Sequence, residues 1–145
     1  MMSIHNGILL ESLDVYIDYN DTYDEIIEKF DRAQCSYDLS QKDYCRVTST
    51  CFDCGITFWI ALKFAGKKLI KIALLPINLE NNQKSYARIQ DILKKMLGKP
   101  PISQILNNFL MPDNQKSSWD ISGVHIEHTL SDRFGFEDVV SIYVL

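Results

Sequence analysis

The sequence has 145 residues, of which 46% are hydrophobic and 23% are charged. A chain of this length falls in the usual range of one domain, and its composition excludes the class of disordered, highly charged chains. The net charge of −4 argues against a general affinity for phosphate backbones, which requires clustered Lys and Arg. We expect a single α+β domain over residues 1–145 that has no nucleic-acid partner.

The N-terminal residues, MMSIHNGILLESLDV, contain no basic region and only a short apolar run, which does not match a secretory signal. No segment approaches the roughly 18 apolar residues of a membrane span. We therefore expect a cytoplasmic protein with no membrane partner. The four cysteines are then expected to be reduced thiols, because the cytosol opposes structural disulfides.

Carboxylates and tyrosines are concentrated near the start of the chain, in LESLDVYIDYNDTYDEIIE. This composition suits a protein interface, where tyrosines and complementary charges are common. The candidate partner-binding residues in this segment are Asp14, Asp18, Tyr19, Asp21 and Tyr23. The alternative is that the acidic residues form the solvated rim of a helix start.

The segment NDTYDEIIEKF predicts the first helix, over residues 22–31. Thr22 and Glu25 have the spacing of a capping box, in which each side chain binds a free amide of the first turn. The apolar residues recur at the three- and four-residue spacing of one buried stripe, at Tyr23, Ile26, Ile27 and Phe30.

Between residues 35 and 76 the apolar spacing changes to two, which predicts strands. The segment SYDLSQKDYCRVTST is typical of one or two half-exposed strands. In the next segment, CGITFWIALKF, every even position is apolar, and the odd positions form a mixed face that includes Trp59. A turn at residues 65–67 leads to a returning strand, with Leu62 predicted opposite Ile70. Trp59 is either covered by a helix or left open as a partner-binding residue.

Cys51 and Cys54 have the separation of a zinc-binding or redox pair, which makes them weak candidates for metal ligands. A zinc site needs a second such pair, however, and a redox pair opens a helix, whereas these cysteines lead into a predicted strand. Only a turn at Phe52 and Asp53 would bring the two thiols together. We interpret them as structural thiols and predict no metal and no cofactor.

The second half of the chain begins with two helix patterns. SYARIQDILKKMLGKP predicts a helix that Gly98 and Pro100 terminate, and ISQILNNFL predicts a shorter one before Pro112. The tail returns to strands, in SSWDISGVHIEHTL and FEDVVSIYVL. The apolar phase slips by one residue around Gly123, which we interpret as a β-bulge.

His125 and Glu127 share one face of a predicted strand, and such a pair can orient a histidine for proton transfer. They are therefore the weak catalytic candidates of this chain. The alternative is a cross-strand polar pair on an exposed face. His128 lies three residues from His125, so that the two histidines are predicted on opposite faces.

The order of elements is a helix, antiparallel strands with a tight hairpin, a helix ending in LGKP and a closing hairpin that starts at Trp119. This order resembles that of small bacterial α+β modules, among them β-lactamase-inhibitor-like, outer-membrane-assembly and immunity-like proteins. We predict an α+β fold, with an antiparallel sheet of about five to seven strands covered on one face by two or three helices.

The function expected first is that of a non-enzymatic protein-binding module of the inhibitor or immunity type, with a protein as its partner. The first alternative is a small enzyme or metal-binding protein that uses His125, Glu127 and the cysteines. The second alternative is a self-associating subunit, such as a homodimer joined through the sheet face that carries Trp59.

Overall fold

The computed structural model describes residues 4–77, 82–112, 114–131 and 137–145. Within these residues the main feature is a six-stranded antiparallel sheet with the strand order β3-β4-β5-β8-β7-β6, accompanied by a separate β1-β2 hairpin. The strands are β1 (Gly7–Leu10), β2 (Val15–Asp18), β3 (Tyr44–Thr50), β4 (Thr57–Ala65), β5 (Lys68–Pro76), β6 (Gln115–Ile121), β7 (Val124–Ser131) and β8 (Glu137–Val144). The helices are α1 (Tyr23–Arg32), α2 (Asn82–Leu97) and α3 (Ile102–Leu110). The predicted α+β class with a large antiparallel sheet is confirmed.

The sheet has one covered face and one open face. Alternate side chains of the central strands, such as Phe58, Ile60 and Ile72, are buried on the covered face. The β1-β2 hairpin, α1 and α2 contribute to the same hydrophobic core. On the opposite face Trp59 is 58% exposed, so that face is open around β4.

Helix α1 starts as its sequence predicts. The Thr22 hydroxyl accepts a hydrogen bond from the Glu25 amide at 3.3 Å, and the Glu25 carboxylate accepts one from the Thr22 amide at 3.1 Å. Tyr23 packs edge-on against Phe64, with ring centroids 5.1 Å apart, which joins the helix to β4. The capping box therefore fixes where the helix begins and how it meets the sheet.

The hairpin of β4 and β5 forms, but its predicted register is wrong. Leu62 lies opposite Ile72, not Ile70, and Phe64 lies opposite Leu69. The pairing shifts between Lys63 and Phe64, which leaves Ile70 as an extra residue in β5. Because this bulge changes the phase of the strand, Leu69 is fully buried and Ile70 only partly so.

The bulge predicted at Gly123 is also wrong. Ile121 and Val124 pair directly, so Ser122 and Gly123 form a two-residue turn between β6 and β7. Gly123 has a φ of +78°, a conformation that glycine adopts without a steric penalty. The buried positions change from odd to even numbers here because the chain reverses at the turn and enters a new strand.

We expect Thr22→Ala to lower the free energy of unfolding by about 1 kcal/mol, because the first turn of α1 loses its hydroxyl acceptor. Thr22→Ser keeps the acceptor and is the matched control. Urea unfolding followed by circular dichroism measures both variants. Equal stability of Thr22→Ala and the wild type would contradict a stabilising role for the capping box.

Candidate functional site

The two candidate metal ligands lie in a tight turn and not in a strand. β3 ends at Thr50 and β4 begins at Thr57, so both cysteines lie in the connection between these strands. Phe52 and Asp53 adopt left-handed φ values of 63° and 50°, which reverse the chain. The Cys54 thiol thereby donates a hydrogen bond to the Cys51 carbonyl, with Sγ and O 3.2 Å apart.

The chemistry of these thiols favours a structural role. Both side chains are buried, and burial raises the pKa of the Cys51 and Cys54 thiols. A protonated thiol is a poor nucleophile and a poor metal ligand. Among the described residues no group of three or more His, Cys, Asp or Glu side chains is placed to hold a metal ion.

The thiols should differ in their reactivity with a disulfide reagent such as DTNB. Cys35 is only partly buried, whereas Cys45, Cys51 and Cys54 are buried, and burial raises the pKa of Cys45 to about 12. We expect Cys35 to react first and the other three to react only after denaturant is added. Cys35→Ser should remove the early phase. A rapid phase that persists in this variant would place a reactive thiol elsewhere.

His125 and Glu127 do meet on the open face, as their spacing predicts. His125 Nδ1 lies 2.6 Å from Asp120 Oδ1, and its Nε2 lies 3.1 Å from Glu127 Oε1. Glu127 also pairs with Lys116 at 3.2 Å. The hydrogen bond to Asp120 raises the pKa of His125 against the effect of partial burial, with Glu127 adding to the rise.

Both ring nitrogens of His125 are therefore engaged by carboxylates. A general base needs one free nitrogen beside its substrate, and this imidazole offers none. The cluster links β6 to β7, because Asp120 and Lys116 of β6 contact His125 and Glu127 of β7. Its geometry favours the alternative of a cross-strand polar group over that of a catalytic pair.

A second polar cluster, buried under α2, was not identified from the sequence. His128 is fully buried, with Nδ1 2.7 Å from Gln90 Oε1 and Nε2 2.8 Å from Asp138 Oδ1. Ser85 donates to the other carboxylate oxygen of Asp138 at 2.7 Å. The signal in the sequence was a histidine in the buried phase of β7, between Ile126 and Leu130.

The buried cluster continues to the edge strand and to a stacked ring. Gln90 Nε2 donates to the Ser117 hydroxyl at 2.7 Å, and the Tyr86 ring stacks on His128 with centroids 4.0 Å apart. Burial raises the pKa of Tyr86 to about 12, although the neighbouring Ser117 acts in the opposite direction. The Tyr86 hydroxyl is buried and makes no hydrogen bond to the described residues. Because no solvent reaches His128, we interpret the cluster as the link between α2 and the sheet.

The two histidines should respond to pH with opposite signs. Burial lowers the pKa of His128, so the unfolded state binds more protons than the folded state just below the ordinary value of about 6.5. The free energy of unfolding should thus fall as the pH drops below about 6.5, by at most about 1.4 kcal/mol per pH unit for one proton. The raised pKa of His125 contributes stability below about 6.5 that is lost at higher pH.

We expect His128→Gln to flatten the loss of stability below about pH 6.5, and His125→Gln to reduce the loss of stability above about pH 6.5. Urea titrations at several pH values from about 5.5 to 8 measure the slopes, which do not depend on the overall stability of each variant. An unchanged slope in His128→Gln would contradict the assignment of the acid-side loss to this histidine.

The five acidic-segment candidates do not form one continuous exposed face. The Tyr19 hydroxyl donates to the Ile4 carbonyl at 2.6 Å, and Asp21 pairs with Lys29 at 2.5 Å. Tyr19 and Asp21 are buried, so a partner cannot contact them directly. Tyr23 is partly covered by Phe64. Asp14 is exposed and Asp18 is half-buried at the end of β2.

Helix α3 lies along the outer edge of β6 and is fixed there by two amide side chains. Gln104 donates to the Ser118 hydroxyl at 2.6 Å and accepts from the Ser118 amide at 2.8 Å. Asn108 accepts from the Lys116 amide at 2.8 Å and donates to the Lys116 carbonyl at 2.9 Å. These contacts satisfy the backbone groups that an edge strand would otherwise expose.

The apolar side of α3 is consequently turned away from the sheet. Ile102, Ile105, Leu106, Phe109, Leu110 and Met111 are 74%, 39%, 59%, 83%, 73% and 49% exposed, respectively. We call these six residues the α3 surface. Single exposed apolar side chains are common, but five large ones on one helix and a sixth directly after it are not, and such patches mark interaction sites.

No family model, curated protein or solved structure matches this chain. None of the described helices has both the length and the apolar character needed to cross a membrane. The class that the fold defines is an α+β protein built on an antiparallel sheet. The α3 surface is the strongest candidate functional site among the described residues.

Proposed function

We propose that the protein is a non-enzymatic protein-binding module that inserts the α3 surface into an apolar groove of its partner. The observation that carries this proposal is the exposure of six large apolar side chains, five on α3 and one directly after it. Burial of such side chains is the main source of free energy in protein association. The inhibitor or immunity type of role and a cytoplasmic location belong to the same proposal.

The spacing on α3 supports a helix-in-groove mode of binding. Ile102, Ile105, Leu106 and Phe109 occupy positions i, i+3, i+4 and i+7, which lie on one side of a helix. Four hydrogen bonds to β6 hold the helix in place through its opposite side. Because α3 is already folded and fixed, little conformational entropy is lost when it binds.

Charge supports an acidic rim on the partner's groove. Helix α3 itself contains no charged residue, but Lys99 precedes it, Lys94 lies in the last turn of α2 and Lys116 follows in β6. Lys94 and Lys99 are exposed and form no ion pair within the described residues. A groove bordered by carboxylates would complement these cations.

The same features disfavour a second copy and a membrane. Helix α3 of a second copy has no carboxylate to offer Lys94 and Lys99, so a second copy complements these cations less well. Membrane-surface helices carry lysines on their polar side, whereas the polar side of α3 consists of amides engaged with β6.

The test is a photocrosslinking and binding experiment. A photoreactive phenylalanine analogue at position 109 identifies the molecule that contacts α3 in cells of the source organism, and calorimetry with the purified partner then measures affinity. Leu106→Glu with Phe109→Glu should weaken binding by about 30-fold or more, as loss of two anchors does. Because Leu106 and Phe109 are exposed, the double variant should unfold with nearly the wild-type free energy, within about 0.5 kcal/mol.

Leu145→Glu is the matched control, because Leu145 is 74% exposed but lies outside α3. It should bind the partner as the wild type does. A crosslink to a second copy of this chain, or sedimentation of the wild type with phosphatidylglycerol vesicles, would overturn the proposal. Equal affinity of the double variant and the wild type would do so as well.

A further inference from the structure

The charges of this chain are separated along the sequence. Residues 44–76 contain the cations Arg46, Lys63, Lys67, Lys68 and Lys71, with Asp53 as the only acid. Residues 11–31 contain the acids Glu11, Asp14, Asp18, Asp21, Asp24, Glu25, Glu28 and Asp31, with Lys29 as the only cation. The net charge of −4 thus combines a strongly acidic N-terminal segment with a basic half-sheet and a nearly neutral remainder.

The fold places three of these cations on the open face of β3, β4 and β5. Lys63 and Lys71 are direct cross-strand neighbours, and Arg46 pairs with Ala61, two residues along β4 from Trp59. Lys63 and Lys71 form no ion pair with the described residues. Asp38 lies beside Arg46 at the sheet edge and partly compensates its charge.

Aromatic rings interleave with these cations. The Lys63 ammonium lies 5.8 Å from the ring centroid of Tyr44, and the Lys71 ammonium lies 5.1 Å from that of Tyr143. These contacts hold the two charges close to the sheet surface. The Trp59 indole, 58% exposed, is the ring that has a face free for a ligand.

The side chains between the two rows are small. Ala61 and Ala73 pair across β4 and β5, with Trp59 opposite Leu75 on one side and Lys63 opposite Lys71 on the other. On β4 and β5 the open face therefore has small side chains between an apolar, aromatic row and a basic row, with Arg46 at the β3 end, and we call this strip the channel. An extended ligand that carries negative charge on one side and flat apolar groups on the other fits this arrangement.

We propose that this channel binds single-stranded nucleic acid. The phosphates lie beside Lys63, Lys71 and Arg46, and a base stacks on Trp59. Sheet faces that combine exposed aromatic rings with cations bind single strands in this way, because every base offers a π-face and the backbone supplies the charge. A duplex fits less well, since its bases are already stacked on one another.

An acidic peptide is the nearest competing ligand. Extended peptides gain most of their affinity by adding a strand to a free sheet edge. The edge of β3 is largely occupied, because the Arg46 backbone pairs with Asp38 and the Thr50 amide donates to the Ser12 hydroxyl. A peptide on the sheet face would therefore lack backbone partners, whereas a base needs only the ring of Trp59.

This inference departs from the expectation of no nucleic-acid partner, which rests on net charge alone. Net charge governs long-range attraction, whereas contact with a short strand depends on the local charge of the face that meets it. An overall negative chain should accordingly bind weakly and with a modest dependence on salt.

The experiment uses the full chain and oligo(dT) or oligo(rU) of about 15 nucleotides, a length that covers one binding site. Trp59 is the reporter, because the second tryptophan, Trp119, is 6% exposed. We expect oligonucleotide to quench the Trp59 fluorescence. The slope of log Kobs against log[salt] should lie between about −1.4 and −2, for two to three phosphates at about 0.7 each.

Variants assign the contacts, with affinity measured by anisotropy of a labelled oligonucleotide. Trp59→Ala should weaken binding by about 5- to 150-fold through lost stacking. Lys63→Gln and Lys71→Gln should each reduce the magnitude of the salt slope by about 0.7. Lys84→Gln, an exposed lysine on α2, should leave both quantities unchanged and is the matched control.

Three results would overturn the inference: no quenching at low salt, wild-type affinity in Trp59→Ala, or equally tight binding of poly-glutamate. The inference is independent of the proposed role of α3. Leu106→Glu should bind oligonucleotide as the wild type does, so loss of one activity can be distinguished from loss of the other.

Discussion

Burial of only one face of the six-stranded sheet is the constraint from which the other features follow. Side chains alternate across a strand, so each strand sends half of its residues into the core and half to the opposite face. The β1-β2 hairpin, α1 and α2 contribute to the core on the covered side. Helix α3 makes its hydrogen bonds along the β6 edge, and the other face of the central strands stays open.

The placement of α3 follows from the needs of that edge. An edge strand presents free amides and carbonyls, which attract other chains unless something covers them. Gln104 and Asn108 satisfy those of β6, and a helix that turns its amides inward must turn its apolar residues outward. Protection of the edge and exposure of the α3 surface are thus two consequences of one orientation. The exposed side chains are not an isolated defect of packing.

The buried His128 cluster has a different role. A polar group in an apolar layer is costly unless every atom has a partner, and both ring nitrogens of His128 have one. Its partners come from α2 and β8, so only one docking position of α2 satisfies them. Nearby apolar contacts, such as Ile89 and Leu93, would tolerate small shifts of the helix. The cluster therefore adds specificity to a helix position that hydrophobic burial alone leaves loosely defined.

Sequence patterns predicted correctly those features that depend only on residues close together in the chain. The capping box located α1, and the alternation in β4 placed Trp59 on the mixed face, because neighbouring residues determine both. The register of the hairpin depends on one bulge near its turn, and the orientation of α3 depends on contacts with β6 residues 8 and 14 positions away. The partners of His128 are 10 and 38 residues distant. Such pairings leave no periodic signal in a single sequence.

Net charge describes this chain incompletely, because it sums over residues that the fold separates. Some of the acidic carboxylates form ion pairs within the helix region, such as Asp21 with Lys29 and Glu28 with Arg32. Lys63 and Lys71 are instead held over aromatic rings on a face that contains no carboxylate on β4 or β5. A carboxylate already paired within its own turn contributes little to the potential at a distance, whereas an unpaired ammonium contributes its full charge. On β4 and β5 the electrostatic character of the open face is therefore set by cations that lack partners, and it is positive there although the chain as a whole is negative.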